Sequence, residues 1–172
     1  QAGQDLNDGD VMVKKAQKMH AEAGAMKHCL RLLEDDEEDL LKAVMEYFTR
    51  LLNDGNVDVQ DQLLLALYNS KSTVALQNIR DEIIRSVGAL EINSTLTEVD
   101  ELQDEEHAWL FQLIKSLHEM VEGAYTKLQD ILLDQSGISH DKSVNFVDVL
   151  SYVLQRIYTK IKPPSGVEDD ST

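Results

Sequence analysis

Residues 38–67 read EDLLKAVMEYFTRLLNDGNVDVQDQLLLAL, and this stretch decides the fold. Its first half places large apolar residues three and four positions apart, which is the spacing of one helical face. The tetrapeptide NDGN at 53–56 interrupts the pattern, and these residue types turn a chain tightly. The apolar spacing resumes at Val57. Two apolar helices joined by about four residues predict an antiparallel helical hairpin.

Segments with the same helical spacing lie on both sides of this hairpin. They cover residues 11–33, 74–87, 108–132 and 144–161. Pro163 and Pro164 follow the last segment, and proline cannot continue a helix. No stretch alternates apolar and polar residues convincingly, as a half-buried strand would. We therefore predict an all-α fold. Its architecture is either an α-solenoid of HEAT- or armadillo-like helical hairpins or a compact helical bundle.

Breaks in the apolar spacing divide the chain into parts. The stretch 91–106 contains many acids, no base and no clear apolar stripe, which is typical of a solvated linker. The predicted parts are a flexible lead-in (1–10), a helical repeat unit (11–90), an acidic linker (91–106), a second helical unit (107–162) and an acidic tail (163–172).

The net charge of the chain limits the kinds of molecule that we expect it to bind. The 172 residues carry 32 acids and 16 Lys or Arg, for a formal net charge of −16. Such a field repels phosphate backbones and anionic lipid surfaces, so we expect no nucleic-acid partner. The longest purely apolar run, Leu63–Leu67, is far shorter than the roughly 20 residues that span a bilayer, so we expect no direct membrane insertion. Basic proteins and basic peptide segments would be attracted.

The single cysteine and one glycosylation tripeptide bear on the compartment. Cys29 has Met26, Leu30 and Leu33 at helical spacing, which predicts a buried thiol and no disulfide within the chain. One cysteine fits a reducing, cytoplasmic compartment. Asn93 begins an Asn-Ser-Thr tripeptide, a formal acceptor for N-linked sugar. It motivates one alternative, a secreted helical-bundle protein.

No catalytic, cofactor or metal motif is recognisable. The acid-rich starts at Asp5 and Asp54 lack the residues that complete a calcium-binding loop. The five histidines form no zinc-type pair, and one cysteine excludes a cysteine zinc site. Gly-x-Ser-x-Gly elbows and phosphate-binding Gly-rich loops are missing as well. We therefore predict that the chain is not an enzyme and has no cofactor or metal site.

Surplus apolar residues indicate an interaction surface instead. Trp109, Leu110 and Phe111 are three large apolar residues in a row, wider than one helical face. The last helical segment has a similar excess around Phe146. Aromatic residues at helical spacing are usually core residues, but surplus width requires contacts with other helices or with a partner. The candidate interaction surface comprises Trp109, Phe111 and Phe146.

Three blocks of the sequence, taken in order, resemble a family. In residues 16–71, His20, Glu22, Leu51-Leu52, Gly55-Asn56 and Val59-Gln60 take the places of a Leu-His-Glu-like helix, a Leu-x-Gly-Gly-Asn turn and a Val-Gln start. Residues 75–90 are similar to the helix that follows. In residues 110–157, Leu110-Phe111, Leu128-Gln129 and Asn145 match a second helical region. These blocks resemble the intracellular calcium-release channels, the ryanodine and inositol trisphosphate receptors. Asp54 departs from the pattern, since the family prefers Gly there.

The resemblance implies a non-catalytic regulatory segment of a homotetrameric channel. Such a segment would lie on the cytosolic face of the endoplasmic or sarcoplasmic reticulum and transmit conformational change to other domains of the same polypeptide. The composition and apolar width alone equally favour a generic helical adaptor that binds partner helices or peptides.

Overall fold

A computed structural model describes residues 8–35, 37–93, 100–140 and 142–161, with the side chains of 9–35, 37–90, 105–140 and 142–158. These residues form eight α-helices and no β-strand: α1 (Asp8–Glu22), α2 (Ala25–Leu32), α3 (Glu38–Leu52), α4 (Val57–Ser70), α5 (Val74–Asn93), α6 (Asp100–Val121), α7 (Thr126–Leu133) and α8 (Phe146–Ile161). The all-α prediction is confirmed, and the choice between solenoid and bundle stays a prediction. Across the described residues, every helix is too short or too polar to cross a membrane.

The central hairpin forms as its sequence predicts. α3 ends at Leu52 and α4 begins at Val57. Between them Asp54 and Gly55 adopt positive φ angles of 62° and 57°. The side chain of Asn56 then accepts a hydrogen bond from the backbone NH of Asp58 (3.2 Å), which caps the first turn of α4.

Both predicted helical units contribute to a single hydrophobic core. α6 packs against α3 and α5, and α8 packs against α5. Phe48 of α3 and Phe146 of α8 are among the largest fully buried side chains. Cys29 is also buried, as predicted. The hydrophobic core is therefore continuous across the boundary between the two predicted units.

The helices extend into the predicted linker and lead-in. α5 continues to Asn93 and α6 begins at Asp100, so residues 91–93 and 100–106 of the predicted linker are helical, while the division of the chain into parts stays a prediction. Acidic residues at the start of a helix suit its dipole, so an acidic stretch without an apolar stripe can still open a helix. α1 begins at Asp8, within the predicted lead-in. The predictions for residues 1–7, 94–99 and 162–172 lie outside the described residues.

Polar side chains connect the α3–α4 hairpin to the end of α6. The backbone NH of Asp54 donates to Glu119 Oε2 (3.0 Å), and Gln60 Nε2 donates to the carbonyl oxygen of Glu122 (3.0 Å). Gln60 and Glu119 are both buried. These bonds are partly buried, and they fix the position of α6 relative to the hairpin.

Candidate functional site

An open apolar groove of about 440 Å³ lies between α6, α7 and α8. We call it the α6–α8 groove. Ten side chains line it, and His118 is the one among them that can carry charge: Ile114, Leu117, His118 and Val121 from α6; Gln129, Leu132 and Leu133 from α7; Phe146, Val147 and Leu150 from α8. A concave, largely apolar surface of this kind is suited to an apolar ligand or to the apolar face of a helix.

The turn after α6 places α7 at one end of this groove. Gly123 adopts φ +72°, a conformation that favours glycine, inside the short 3-10 turn Glu122–Ala124. The chain then enters α7, and the Tyr125 hydroxyl donates a hydrogen bond to Asp61 of α4. Burial, and then the neighbouring Asp61 carboxylate, raise the pKa of Tyr125 to about 12. The tyrosine therefore remains a donor at neutral pH.

Gln135 fixes the start of α8. Its side chain is fully buried and pairs with the backbone of Val144. Gln135 Nε2 donates to the Val144 carbonyl oxygen (2.8 Å), and the Val144 NH donates to Gln135 Oε1 (2.6 Å). Asn145 then caps the helix, accepting a hydrogen bond from the Val147 NH (2.9 Å). These bonds hold in place the start of α8, which forms one wall of the groove.

α8 is apolar on two adjacent faces. Phe146, Val149 and Val153 are buried against the rest of the fold. A second row is exposed and follows helical spacing from the groove toward the end of the helix: Val147, Leu154, Ile157 and Tyr158. Leu154 is 67% exposed. It lies seven residues after the groove-lining Val147, on the same face of the helix.

Phe111 continues the α6 wall of the groove. It precedes Ile114 by three positions and His118 by seven, so it lies near the same face of α6. Its side chain is 69% exposed. The apolar surface therefore extends beyond the groove along both α6 and α8.

The three predicted surface residues have different positions. Phe111 is exposed. Trp109 is half-buried, packs against the core, and its Nε1 donates to Glu82 Oε1 of α5. Phe146 is only 2% exposed, and it also lines the α6–α8 groove, so the assignment of these residues to an interaction surface stays a prediction. Phe146 is the first residue of α8.

Sequence reasoning missed Val147, Leu154 and Tyr158. All three were visible as apolar positions, and their spacing of seven and four residues is that of one helical face. The apolar residues of segment 144–161 fall on two helical faces, and assigning each residue to its face would have identified the exposed row. Apolar width alone indicated the excess but not which residues carry it.

A second feature lies beside the groove, at the end of α6. One ligand atom from each of His118, Glu119 and Glu122 lies within 4.8 Å of the others. Such donors suit Zn²⁺ or Mn²⁺, and no metal site was predicted from this His-Glu-x-x-Glu spacing. Burial, and then a hydrogen bond with Glu122, raise the pKa of Glu119.

A second groove of about 500 Å³ lies between α2 and α4. Its lining is mixed, because Lys27, Arg31 and Glu34 stand beside apolar residues such as Leu30 and Leu65. The charged groups make it a poorer site for an apolar helix face than the α6–α8 groove.

Comparison of the chain with protein-family profiles, with curated proteins and with solved structures finds no match.

Proposed function

We propose that this chain is a non-catalytic helical adaptor that binds an amphipathic α-helix of a partner protein in the α6–α8 groove. One observation carries the proposal. A groove with an almost uncharged lining opens onto exposed apolar residues of α6 and α8, with Phe111 and Leu154 at its borders. Contiguous exposed apolar surface is unfavourable in water and typically marks a site of association.

The shape and length of the surface support a helix as the ligand. Val147 and Tyr158 are eleven positions apart on α8, which corresponds to roughly 17 Å of helix. About three turns of a partner helix cover that distance, with anchors spaced three, four and seven residues apart. The net charge of −16 favours a partner helix whose polar face is basic.

The resemblance to calcium-release channels supports a second candidate function. In it, the partner helix belongs to another domain of the same polypeptide, in a homotetramer on the cytosolic face of the endoplasmic or sarcoplasmic reticulum. The partly buried bonds from Asp54 and Gln60 to the end of α6 favour this candidate. A segment tied together in this way moves as a rigid body and passes displacement from one neighbour to the next.

The adaptor function is tested with a designed peptide and the ¹⁵N-labelled chain. The peptide has about 18 residues, leucines on one helical face and Lys and Gln on the other. We expect amide chemical-shift changes to cluster on the residues that line the groove. A scrambled peptide of the same composition, which lacks the helical spacing, should leave the spectrum unchanged.

Two variants distinguish peptide binding in the groove from nonspecific binding to exposed apolar residues. Phe111→Ser combined with Leu154→Ser should weaken peptide binding at least about tenfold, since each removes an exposed anchor of roughly 1–2 kcal/mol. Leu65→Ser changes a residue of α4 that is also exposed (52%) and should leave binding unchanged. Shift changes centred elsewhere, or equal binding by both variants, would rule out the groove as the docking site.

A further inference from the structure

The groove between α2 and α4 carries unpaired positive charge on its α2 wall. We call it the α2–α4 groove. Lys27 and Arg31 line it four positions apart, on one face of α2. Both side chains are exposed, and neither forms an ion pair or a hydrogen bond with the described residues. α2 contains no acid, so the helix itself presents two cations without a counter-charge.

The charge of this wall changes along α2. Lys27 and Arg31 lie within the helix, whereas Glu34 follows its end and also lines the groove. The Glu34 carboxylate forms no ion pair with Arg31. The wall therefore presents two cations followed by one anion. The first turn of α2 carries the positive end of the helix dipole and adds to the cationic end.

The α4 wall supplies apolar contact and hydrogen-bonding groups but no charge. Leu65 is 52% exposed there, and the side-chain amides of Gln62 and Asn69 form no hydrogen bond with the described residues. The two acids of α4 do not line the groove: Asp58 pairs with a lysine of α1 and Asp61 accepts from a tyrosine hydroxyl. The cations of α2 therefore face neutral groups across the groove.

The shape of this surface suits a helical segment better than a small molecule. Small-molecule sites bury most of their ligand, whereas Lys27, Arg31 and Leu65 are all exposed. A helix that lies along the groove covers the leucine with an aliphatic residue and places its acids beside the two cations. The net charge of −16 opposes this only weakly, because exposed charges more than about 8 Å apart are largely screened at physiological ionic strength.

We infer that the α2–α4 groove binds an acidic amphipathic helix of a partner protein. Two acids of that helix, one turn apart, pair with Lys27 and Arg31, and an aliphatic residue contacts Leu65. The site lies on other helices than the α6–α8 groove, so this inference goes beyond the proposed function.

Two designed peptides of about 14 residues test the inference on the ¹⁵N-labelled chain. The acidic peptide has leucines on one helical face, Glu and Gln on the other, and two Glu four positions apart. The basic peptide has Lys in place of each Glu. We expect the acidic peptide to shift the amide signals of Lys27, Arg31 and Leu65, and the basic peptide to leave them unchanged.

Reversing the charge of the α2 wall should reverse this preference. Lys27→Glu with Arg31→Glu should bind the acidic peptide in this groove at least about tenfold more weakly and should acquire binding of the basic peptide there. Lys14→Glu with Lys15→Glu changes the net charge equally at residues of α1 that do not line the groove. This control should bind the acidic peptide like the wild type.

Three results would overturn the inference. They are signals of the α2–α4 groove that respond to both peptides alike, equal losses in the two charge-reversed variants, and no shift change at about 1 mM acidic peptide. The same spectra follow the α6–α8 groove through its own residues. Phe111→Ser with Leu154→Ser should leave the α2–α4 response intact, so failure of one groove is distinguishable from failure of the other.

Discussion

Gln60 caps the end of α6 from a different helix: its side-chain amide donates to the carbonyl oxygen of Glu122 at 3.0 Å. The same amide nitrogen lies 3.3 Å and 3.2 Å from the carbonyl oxygens of Glu119 and Met120. The last carbonyls of a helix have no partner within the helix, so a single buried glutamine of α4 satisfies acceptors that would otherwise lack a donor.

Replacing Gln60 should therefore destabilise the fold. Gln60→Leu keeps the approximate volume but leaves buried carbonyl oxygens without a donor, and we expect a loss of about 1–3 kcal/mol in the free energy of unfolding. Urea denaturation followed by circular dichroism measures it. Gln62→Leu, the same change at a half-exposed position of α4, should alter stability by less than about 0.5 kcal/mol. Equal losses in the two variants would contradict the capping role.

The Glu119 carboxyl should make stability depend on pH. Burial and Glu122 raise its pKa in the folded chain above the ordinary value of 4.5. The folded chain therefore retains a proton that the unfolded chain releases, and this contribution to stability is lost as pH rises from about 4.5 through the raised pKa. Glu119→Gln can still accept from the Asp54 NH and removes the titration. The stability of the variant relative to the wild type should therefore increase as pH rises.

Urea midpoints measured between pH 4 and pH 8 test this dependence. The exposed substitution Glu37→Gln provides the control, because its side chain makes no hydrogen bond or ion pair with the described residues. The difference between wild type and Glu119→Gln should change steadily across this pH range, and by more than the difference between wild type and Glu37→Gln. Parallel curves for both variants would show that Glu119 titrates normally.

Gly55 is a position where a side chain has no room. Its φ is +57°, and a Cβ atom there would lie 3.1 Å from the backbone carbon and oxygen of Glu122. Gly55→Ala should therefore combine the strain of positive φ, about 1–2 kcal/mol, with a backbone clash. Gly123→Ala supplies the matched control, since Gly123 has φ +72° and nothing within 4 Å of an added Cβ. The thermal midpoint should fall further for Gly55→Ala, and the opposite order would refute the close approach.

Phe146 and Phe111 should respond differently to the same truncation. Phe146→Ala empties a buried position in the core and should lower stability by about 3–5 kcal/mol. Phe111→Ala removes an exposed ring and should change stability by less than about 0.5 kcal/mol. Chemical denaturation of both variants checks the pair. Similar losses would mean that Phe111 is not a free surface residue.

Cys29 should be unreactive in the folded chain. Its side chain is 3% exposed, and burial raises the pKa of the thiol to about 11. The thiolate is the reactive form, so at pH 8 alkylation by iodoacetamide should be slow until urea unfolds the chain. Mass spectrometry during the reaction measures the modified fraction. Rapid alkylation without denaturant would contradict the burial of Cys29.

The sequence predicts the α3–α4 hairpin well because its signals are local. The NDGN tetrapeptide and the apolar spacing on both sides require no knowledge of the rest of the fold. The start of α6 at Asp100 was missed for the opposite reason. A helix whose first turns carry acids and no apolar stripe has no periodic signal to read.

The α6–α8 groove could not be predicted from the sequence, because it exists only between elements. Its width depends on how Gly123 redirects the chain into α7 and on how Gln135 holds Val144 at the start of α8. Neither residue stands out by type or spacing. Phe111 was recognised as surplus, yet only the fold shows that its ring is exposed while that of Phe146 is buried.

Trp109 is the only tryptophan of the chain, and its hydrogen bond to Glu82 gives the molecule an optical probe. The indole is half-buried between α5 and α6, with Lys42 Nζ 5.9 Å from the ring centre. Its fluorescence spectrum therefore reports on the junction between α5 and α6. Opening of that junction exposes the indole to water and shifts the emission to longer wavelength. The separation of α6 from α5 can thus be followed in real time without attaching a dye.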